Sequence, residues 1–83
     1  MGEKIIIVLN LVDKAISVDL EIPVDITIKE LVVGLNQAYD LKIDTSDIQQ
    51  CYLKSENPIA LLRGNKTIKD YGLRNGSIIN YTR

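Results

Sequence analysis

The chain has 83 residues, of which 46% are hydrophobic and 25% charged, which leaves room for one domain of ordinary globular composition. Its formal net charge of -1 argues against nucleic acid as the main partner, because phosphate binding needs clustered positive charge. The absence of histidine excludes the Ser-His and Cys-His pairs of nucleophilic catalysis, and it excludes imidazole metal ligands.

The first residues predict an antiparallel β-hairpin. Residues 4–11 are a nearly continuous apolar run, in which alternate residues face the core while Ile6 and Val8 lie on the opposite side. A run that is apolar on both sides indicates a central strand or a strand with an exposed apolar patch. Residues 16–22 alternate apolar and polar side chains, which predicts a half-buried second strand that Pro23 ends.

A helix with a defined start follows the hairpin. Thr27 lies three residues before Glu30, which is the spacing of a capping box. The apolar residues after the cap recur at helical spacing, and they are Ile28, Leu31, Val32 and Leu35. We expect this helix to end near Tyr39 or Asp40 and to cover one face of a sheet with its apolar stripe.

The rest of the chain predicts three short strands separated by turns. These strands cover residues 49–54, 59–62 and 77–81. Tight turns are expected at Asn57-Pro58 and Asn75-Gly76. The resulting order is β-β-α-β-β-β, in which the first and last strands lie adjacent and parallel in the middle of the sheet.

That order and three segments of the sequence resemble the ubiquitin-like β-grasp, one of them residues 47–50, which lead into the third strand. Residues 23–28 resemble the strand-to-helix junction of ubiquitin, and residues 62–73 resemble its late turn and tyrosine-bearing loop. The predicted fold class is therefore α+β, a single ubiquitin-like domain over residues 1–83 with a mixed sheet and one helix packed on one face. By the same resemblance, the hydroxyl of Tyr71 is expected to buttress a loop.

Within this superfamily the chain most resembles the YukD/EsaB family. The resemblance lies in residues 57–62 and 71–79 and in the short, free-standing form of the domain. That family accompanies the type VII secretion system (WXG-type, Ess/ESX) of Gram-positive bacteria. The resemblance implies a cytoplasmic accessory or regulatory component of that machine. Its partner would be a protein, such as a membrane-embedded secretion component or the cytosolic domain of one.

The end of the sequence argues against covalent conjugation. Conjugable ubiquitin-like proteins and sulfur carriers end in a flexible Gly-Gly, whose carboxylate is activated as an adenylate. Here residues 79–83 contain no glycine, and the nearest one, Gly76, lies in a predicted turn. We therefore expect a non-covalent module. A conjugable modifier or sulfur carrier, and a regulatory β-grasp subunit of an enzyme complex, are the alternatives.

No group of residues predicts catalysis, a metal or a cofactor, so we expect a protein that is not an enzyme. Cys51 is the one cysteine of the sequence and sits in a strand pattern, where a small core residue is the expected role. Asp44 and Asp47 lack the spacing and the closing glutamate of a calcium loop. We expect these two carboxylates to stabilise turns instead.

The two parts of the chain carry opposite charge. Residues 1–50 hold four basic and nine acidic groups, whereas residues 51–83 hold six basic and two acidic groups. Solvated faces of opposite sign are the ordinary interpretation, and a charged docking site is the alternative. The apolar run near the start is too short for a membrane span, so we expect no direct membrane insertion. We expect a monomer or a weak homodimer.

The residues nominated for partner binding lie on the sheet face opposite the predicted core, which is the usual docking site of ubiquitin-like domains. Alternation requires one member of each pair Leu61/Leu62 and Ile78/Ile79 to point outward. Single exposed apolar residues are ordinary, so only a cluster of them indicates a site. The candidate residues on this face are Ile6, Val8, Tyr52, Leu62 and Ile79, and Lys54, Arg63 and Lys66 are expected at its rim.

Overall fold

The computed structural model describes residues 3–47 and 49–81. Its strands are β1 (Lys4–Leu11), β2 (Ile16–Pro23), β3 (Tyr52–Glu56), β4 (Ala60–Arg63) and β5 (Ile78–Tyr81), and the helix α1 (Ile28–Tyr39) follows β2. A 3-10 turn, Val12–Lys14, connects β1 to β2. The strands form a five-stranded sheet in the order β2-β1-β5-β3-β4. Thr82 and Arg83, on which part of the expectation about conjugation rests, lie outside the described residues.

The centre of the sheet is built by β1 and β5, which lie side by side and parallel as predicted. Val8 pairs with Ile78, and Leu11 pairs with Tyr81. The remaining neighbours, β1 with β2, β3 with β4 and β3 with β5, are antiparallel. The strand β2 pairs with all of β1, and β5 flanks residues 8–11, so an apolar sequence suits this central position.

The predicted capping box starts α1. Thr27 Oγ1 accepts a hydrogen bond from the Glu30 N–H at 3.1 Å, and the Thr27 N–H donates to Glu30 Oε1 at 3.0 Å. These bonds satisfy amide groups that a helix start otherwise leaves without an intrahelical partner. The helix ends at Tyr39, and Asp40 follows in the left-handed region at φ 51°. Both ends agree with the sequence prediction.

The core lies between α1 and one face of the sheet. The buried side of the helix consists of the predicted apolar stripe, Ile28, Leu31, Val32 and Leu35. The sheet contributes alternate residues from β1 together with inward residues from the other strands. Cys51 is buried among them, which confirms its predicted role as a small core residue.

Two of the nominated surface residues belong to this core, so their prediction was wrong. Leu62 and Ile79 are each 0% exposed. Leu62 pairs with Leu53 of β3, and Ile79 pairs with Leu9 of β1, and both partners point toward the helix. Because side chains alternate along a strand, the preceding residue in each case points to the opposite face.

The strands β3 and β4 also begin later than predicted. The Gln50 N–H bonds to the Asp47 C=O at 3.0 Å, and the Tyr52 N–H bonds to the Gln50 C=O at 3.0 Å, so local turns precede β3. Ile48 lies outside the described residues. Asn57 adopts a left-handed φ of 62°, and the hairpin turn continues through Ile59. The strand β4 therefore starts at Ala60.

Candidate docking face

The sheet face opposite α1, called the open face below, carries the strand side chains that point away from the helix, all of which are exposed or half-buried. Pairing across the sheet sets which residues stand side by side on this face. From β2 to β4 its residues are Ser17, Asp19, Glu21, Pro23, Lys4, Ile6, Val8, Asn10, Ile78, Asn80, Tyr52, Lys54, Glu56, Leu61 and Arg63.

One part of the open face is an apolar corner formed by Ile6, Val8 and Ile78. Val8 and Ile78 are direct partners in the parallel pair, and Ile6 precedes Val8 by two residues on the same face. A turn fixes this corner, because the Ile6 N–H donates to Asn75 Oδ1 at 2.8 Å and the Gly76 N–H donates to the Ile6 C=O at 2.9 Å. Gly76 has φ 89°, a conformation that glycine adopts without strain.

The other part is a basic corner formed by Tyr52, Lys54, Leu61 and Arg63. Tyr52 pairs directly with Arg63, and Lys54 pairs directly with Leu61. All four side chains are exposed. Aromatic and arginine side chains are the residue types that contribute most to the energy of protein interfaces. The antiparallel pairing of β3 with β4 thus places two cations beside a tyrosine and a leucine.

A row of polar side chains separates the two corners. Asn10 Nδ2 donates to Asn80 Oδ1 at 3.0 Å, and Asn80 Nδ2 donates to Glu56 Oε2 at 2.8 Å. The row crosses β1, β5 and β3, and it fixes the orientation of both amide groups. The Glu56 carboxylate is held on this row by the Asn80 amide. The two corners are therefore distinct surfaces of one sheet face.

Tyr71 supports the end of β4 from the loop that follows. Its hydroxyl donates to the Arg63 C=O at 2.9 Å and accepts from the Arg63 N–H at 3.3 Å. This confirms the expected buttressing role. The Lys66 ammonium lies 5.9 Å from the centre of the Tyr71 ring, within the range of a cation–π contact. The loop thus holds a further cation beside Arg63.

The aspartates of the connector before β3 stabilise turns, as predicted. Asp44 Oδ1 accepts from the Ser46 hydroxyl at 2.6 Å and from the Ser46 N–H at 3.0 Å, and these two bonds lower the pKa of the Asp44 carboxyl. Asp47 Oδ1 accepts from the Gln49 N–H at 3.0 Å. Within residues 3–47 and 49–81, no group of three or more Cys, Asp or Glu side chains is placed to hold a metal ion.

The structure brings some of the nominated residues together and separates others. Tyr52, Lys54 and Arg63 meet in the basic corner, whereas Ile6 and Val8 lie in the apolar corner. Lys66 lies in the loop after β4 rather than on the sheet. Leu62 and Ile79 are buried, and Leu61 and Ile78 point outward instead. The alternation in the sequence had left either member of each pair as the outward one.

Sequence reasoning missed one exposed residue beside the basic corner. Ile59 is 89% exposed and lies in the turn between β3 and β4. The sequence prediction had assigned it to the start of a strand. The signal that could have identified it is its position directly after Asn57-Pro58, since a residue so close to a turn pair often belongs to the turn.

The arrangement of a mixed sheet with one helix across one face defines a ubiquitin-like β-grasp domain. The chain is similar to the C-terminal ubiquitin-like domain of mouse tubulin-specific chaperone e, with a TM-score of 0.70 and 13% identity over 99% of this chain and 90% of that one. It is also similar to a protein designed de novo on the basis of ubiquitin, with a TM-score of 0.64 and 14% identity over 93% and 84% of the two chains. These similarities show the fold.

The family follows from the sequence. The family model described as "WXG100 protein secretion system (Wss), protein YukD" matches residues 6–80, so the chain belongs to the YukD family. No curated protein matches the sequence. Across the part of the chain that the structure describes, no helix has the length and apolar character needed to span a membrane.

Proposed function

We propose that this chain is a non-covalent protein-interaction module, which acts as one ubiquitin-like domain in the cytoplasm and assists or regulates the WXG100 secretion system. Membership of the YukD family supports the link to secretion. The observation that carries the binding role is the basic corner, where Tyr52, Lys54, Leu61 and Arg63 stand exposed side by side. The module binds and positions other proteins and performs no chemistry itself.

The basic corner has the features of a small docking surface. Leu61 and Tyr52 offer apolar area that is removed from water on binding, and burial of such area favours association. Lys54 and Arg63 flank them and select a partner whose charge is complementary. Ile59 extends the apolar area into the β3–β4 turn. The partner in this proposal is a cytosolic part of the export machinery, such as the cytosolic domain of a membrane-embedded component.

An export assay tests this function. The gene is deleted in its host, and the strain is complemented with the wild-type chain, with Leu61→Asp or with Val12→Asp. Leu61 is 46% exposed on the open face, and Val12 is 51% exposed in the β1–β2 turn, so the same change is made at two similarly exposed apolar sites. Secretion of WXG100 substrates into the medium is measured by immunoblotting.

We expect deletion to reduce export, Val12→Asp to restore it and Leu61→Asp to fail. Thermal unfolding of both purified variants confirms that each folds. Normal export from the deletion strain contradicts the link to secretion, and equal rescue by both variants contradicts the role of the basic corner. Purification of the chain with a soluble enzyme, and not with secretion components, supports the regulatory-subunit alternative.

A further inference from the structure

A shallow groove runs beside the outer edge of β4. Its walls include Leu61 and Arg63 from β4, and Lys66 and Tyr71 from the loop that follows. Since β4 is the last strand in the sheet order, no further strand among residues 3–47 and 49–81 lies beside this edge. An unpaired strand edge can accept an extended segment of another chain by backbone hydrogen bonding.

At the outer edge of β4, the backbone groups of Arg63 have hydrogen-bond partners, whereas those of Leu61 have none among the described residues. The Tyr71 hydroxyl bonds to both the N–H and the C=O of Arg63, so these two groups point away from β3. Backbone groups alternate between the two sides of a strand, and the N–H and C=O of Leu61 therefore point to the same outer edge. Among the described residues, none bonds to these groups of Leu61 at that edge.

The far wall of the groove is held in place by the start of α1. The Ile28 N–H donates to the Lys66 C=O at 3.0 Å, and the Lys29 N–H donates to the Gly64 C=O at 3.2 Å. Thr67 forms a bridge with Thr27. A loop that is fixed before binding loses little conformational entropy when a partner arrives.

The charges of the groove are positive and largely available. Among the described residues, the Arg63 side chain forms no ion pair, and Lys66 lies over the Tyr71 ring. The nearby Asp70 carboxylate accepts from the Thr67 N–H at 3.0 Å and attracts Lys66, so it offsets part of one charge. Arginine pairs with carboxylates through two parallel hydrogen bonds, which favours an acidic partner.

We propose that this groove binds an extended acidic segment of the protein partner, which pairs its backbone with Leu61 and places its carboxylates against Arg63 and Lys66. This inference rests on the proposed function, because it names the chemistry of the partner that the basic corner meets. The segment is short, since Tyr71 already occupies the backbone groups of Arg63 and leaves Leu61 as the pairing point.

The proposal is tested with two synthetic peptides, a valine between two pairs of glutamates and a valine between two pairs of lysines, both with blocked ends. Each is added to the ¹⁵N-labelled chain. We expect the glutamate peptide to shift the amide resonances of Leu61, Arg63 and Gly64, to slow hydrogen exchange at the Leu61 N–H, and to bind more weakly as salt is added. The lysine peptide is expected to leave these resonances unchanged.

Charge reversal provides the matched control. Arg63→Glu is expected to weaken binding of the glutamate peptide about tenfold or more, because it replaces a charge-assisted pair with repulsion. Lys14→Glu makes the same charge change in the β1–β2 turn and is expected to leave the affinity within about twofold, since exposed charges farther apart than about 10 Å are largely screened at moderate salt.

Three results overturn the proposal: no shift with the glutamate peptide, equal shifts with the lysine peptide, or equal affinities of the two charge-reversed variants. These results are distinct from failure of the proposed function. If Leu61→Asp blocks export while the groove ignores the glutamate peptide, the function stands and the acidic partner is wrong. If the peptide binds while deletion leaves export unchanged, the groove is real and the link to secretion is wrong.

Discussion

The two faces of the sheet carry the same types of apolar side chain, contributed by neighbouring positions of the same strand. Three pairs of identical neighbours show this, and they are Ile6 and Ile7, Leu61 and Leu62, and Ile78 and Ile79. In each pair the second residue is buried under α1, whereas the first is exposed or half-buried on the open face. Residue type therefore does not decide which side chains support the fold and which can meet a partner. Strand register decides it.

The largest predicted difference between the faces concerns the leucine pair of β4. Leu62→Ala removes a fully buried side chain and should lower the free energy of unfolding by about 2–5 kcal/mol. Leu61→Ala changes an outward side chain and should lower it by less than about 1 kcal/mol. Urea unfolding of the two variants measures both values. Similar losses in the two variants would show that β4 has a different register.

A smaller difference separates the two tyrosines near the basic corner. Tyr71→Phe removes the hydroxyl that bonds to Arg63, and we expect it to lower the free energy of unfolding by about 1 kcal/mol. Tyr52→Phe removes an exposed hydroxyl from the open face and should change it by less than about 0.5 kcal/mol. Thermal or urea unfolding checks the pair. An equal effect of the two changes would contradict the support of β4 by Tyr71.

The smallest predicted effect lies outside both faces, in the turn before β3. Ser46→Ala removes the hydroxyl whose hydrogen bond is the main cause of the lowered pKa of Asp44. The pKa of Asp44 should rise toward its ordinary value of 3.8, while the pKa of Asp70 stays lowered by its bonds from Thr67. Carboxyl chemical shifts followed by NMR during acid titration measure both groups.

The sign of the accompanying stability change follows from linkage. A carboxyl whose pKa is lower in the folded state stabilises the fold above its unfolded pKa, and this contribution is lost as pH falls through the folded value. Ser46→Ala should therefore make stability slightly less sensitive to acid below about pH 4. An unchanged pKa of Asp44 in this variant would contradict the bond as its cause.

Local chemistry explains which features could be predicted from the sequence. The capping box of Thr27 and Glu30 acts between residues three apart, and the helical stripe repeats over neighbouring turns, so α1 could be placed with both of its ends. The YukD resemblance likewise depended on ordered segments of the chain, and the family match over residues 6–80 agrees with it.

The features that escaped prediction depend on contacts between distant segments. Leu61 and Leu62 are equally apolar, so alternation could not show which one points outward. That choice is made by the pairing of Leu62 with Leu53. The resemblance to ubiquitin predicted that Tyr71 supports a loop, but it did not show that its hydroxyl bonds to Arg63 or that the loop bonds to the start of α1, and the groove at the edge of β4 depends on both contacts.

In the proposed function, the basic corner of the open face meets a component of the secretion machinery. Photocrosslinking in cells that export WXG100 substrates tests this most directly, with a photoreactive residue in place of Leu61 in one strain and of Val12 in another. We expect a crosslink from position 61 to a protein of the secretion machinery, absent when that protein is deleted, and no such product from position 12. No crosslink from position 61 to any secretion component, or the same products from both positions, would contradict it.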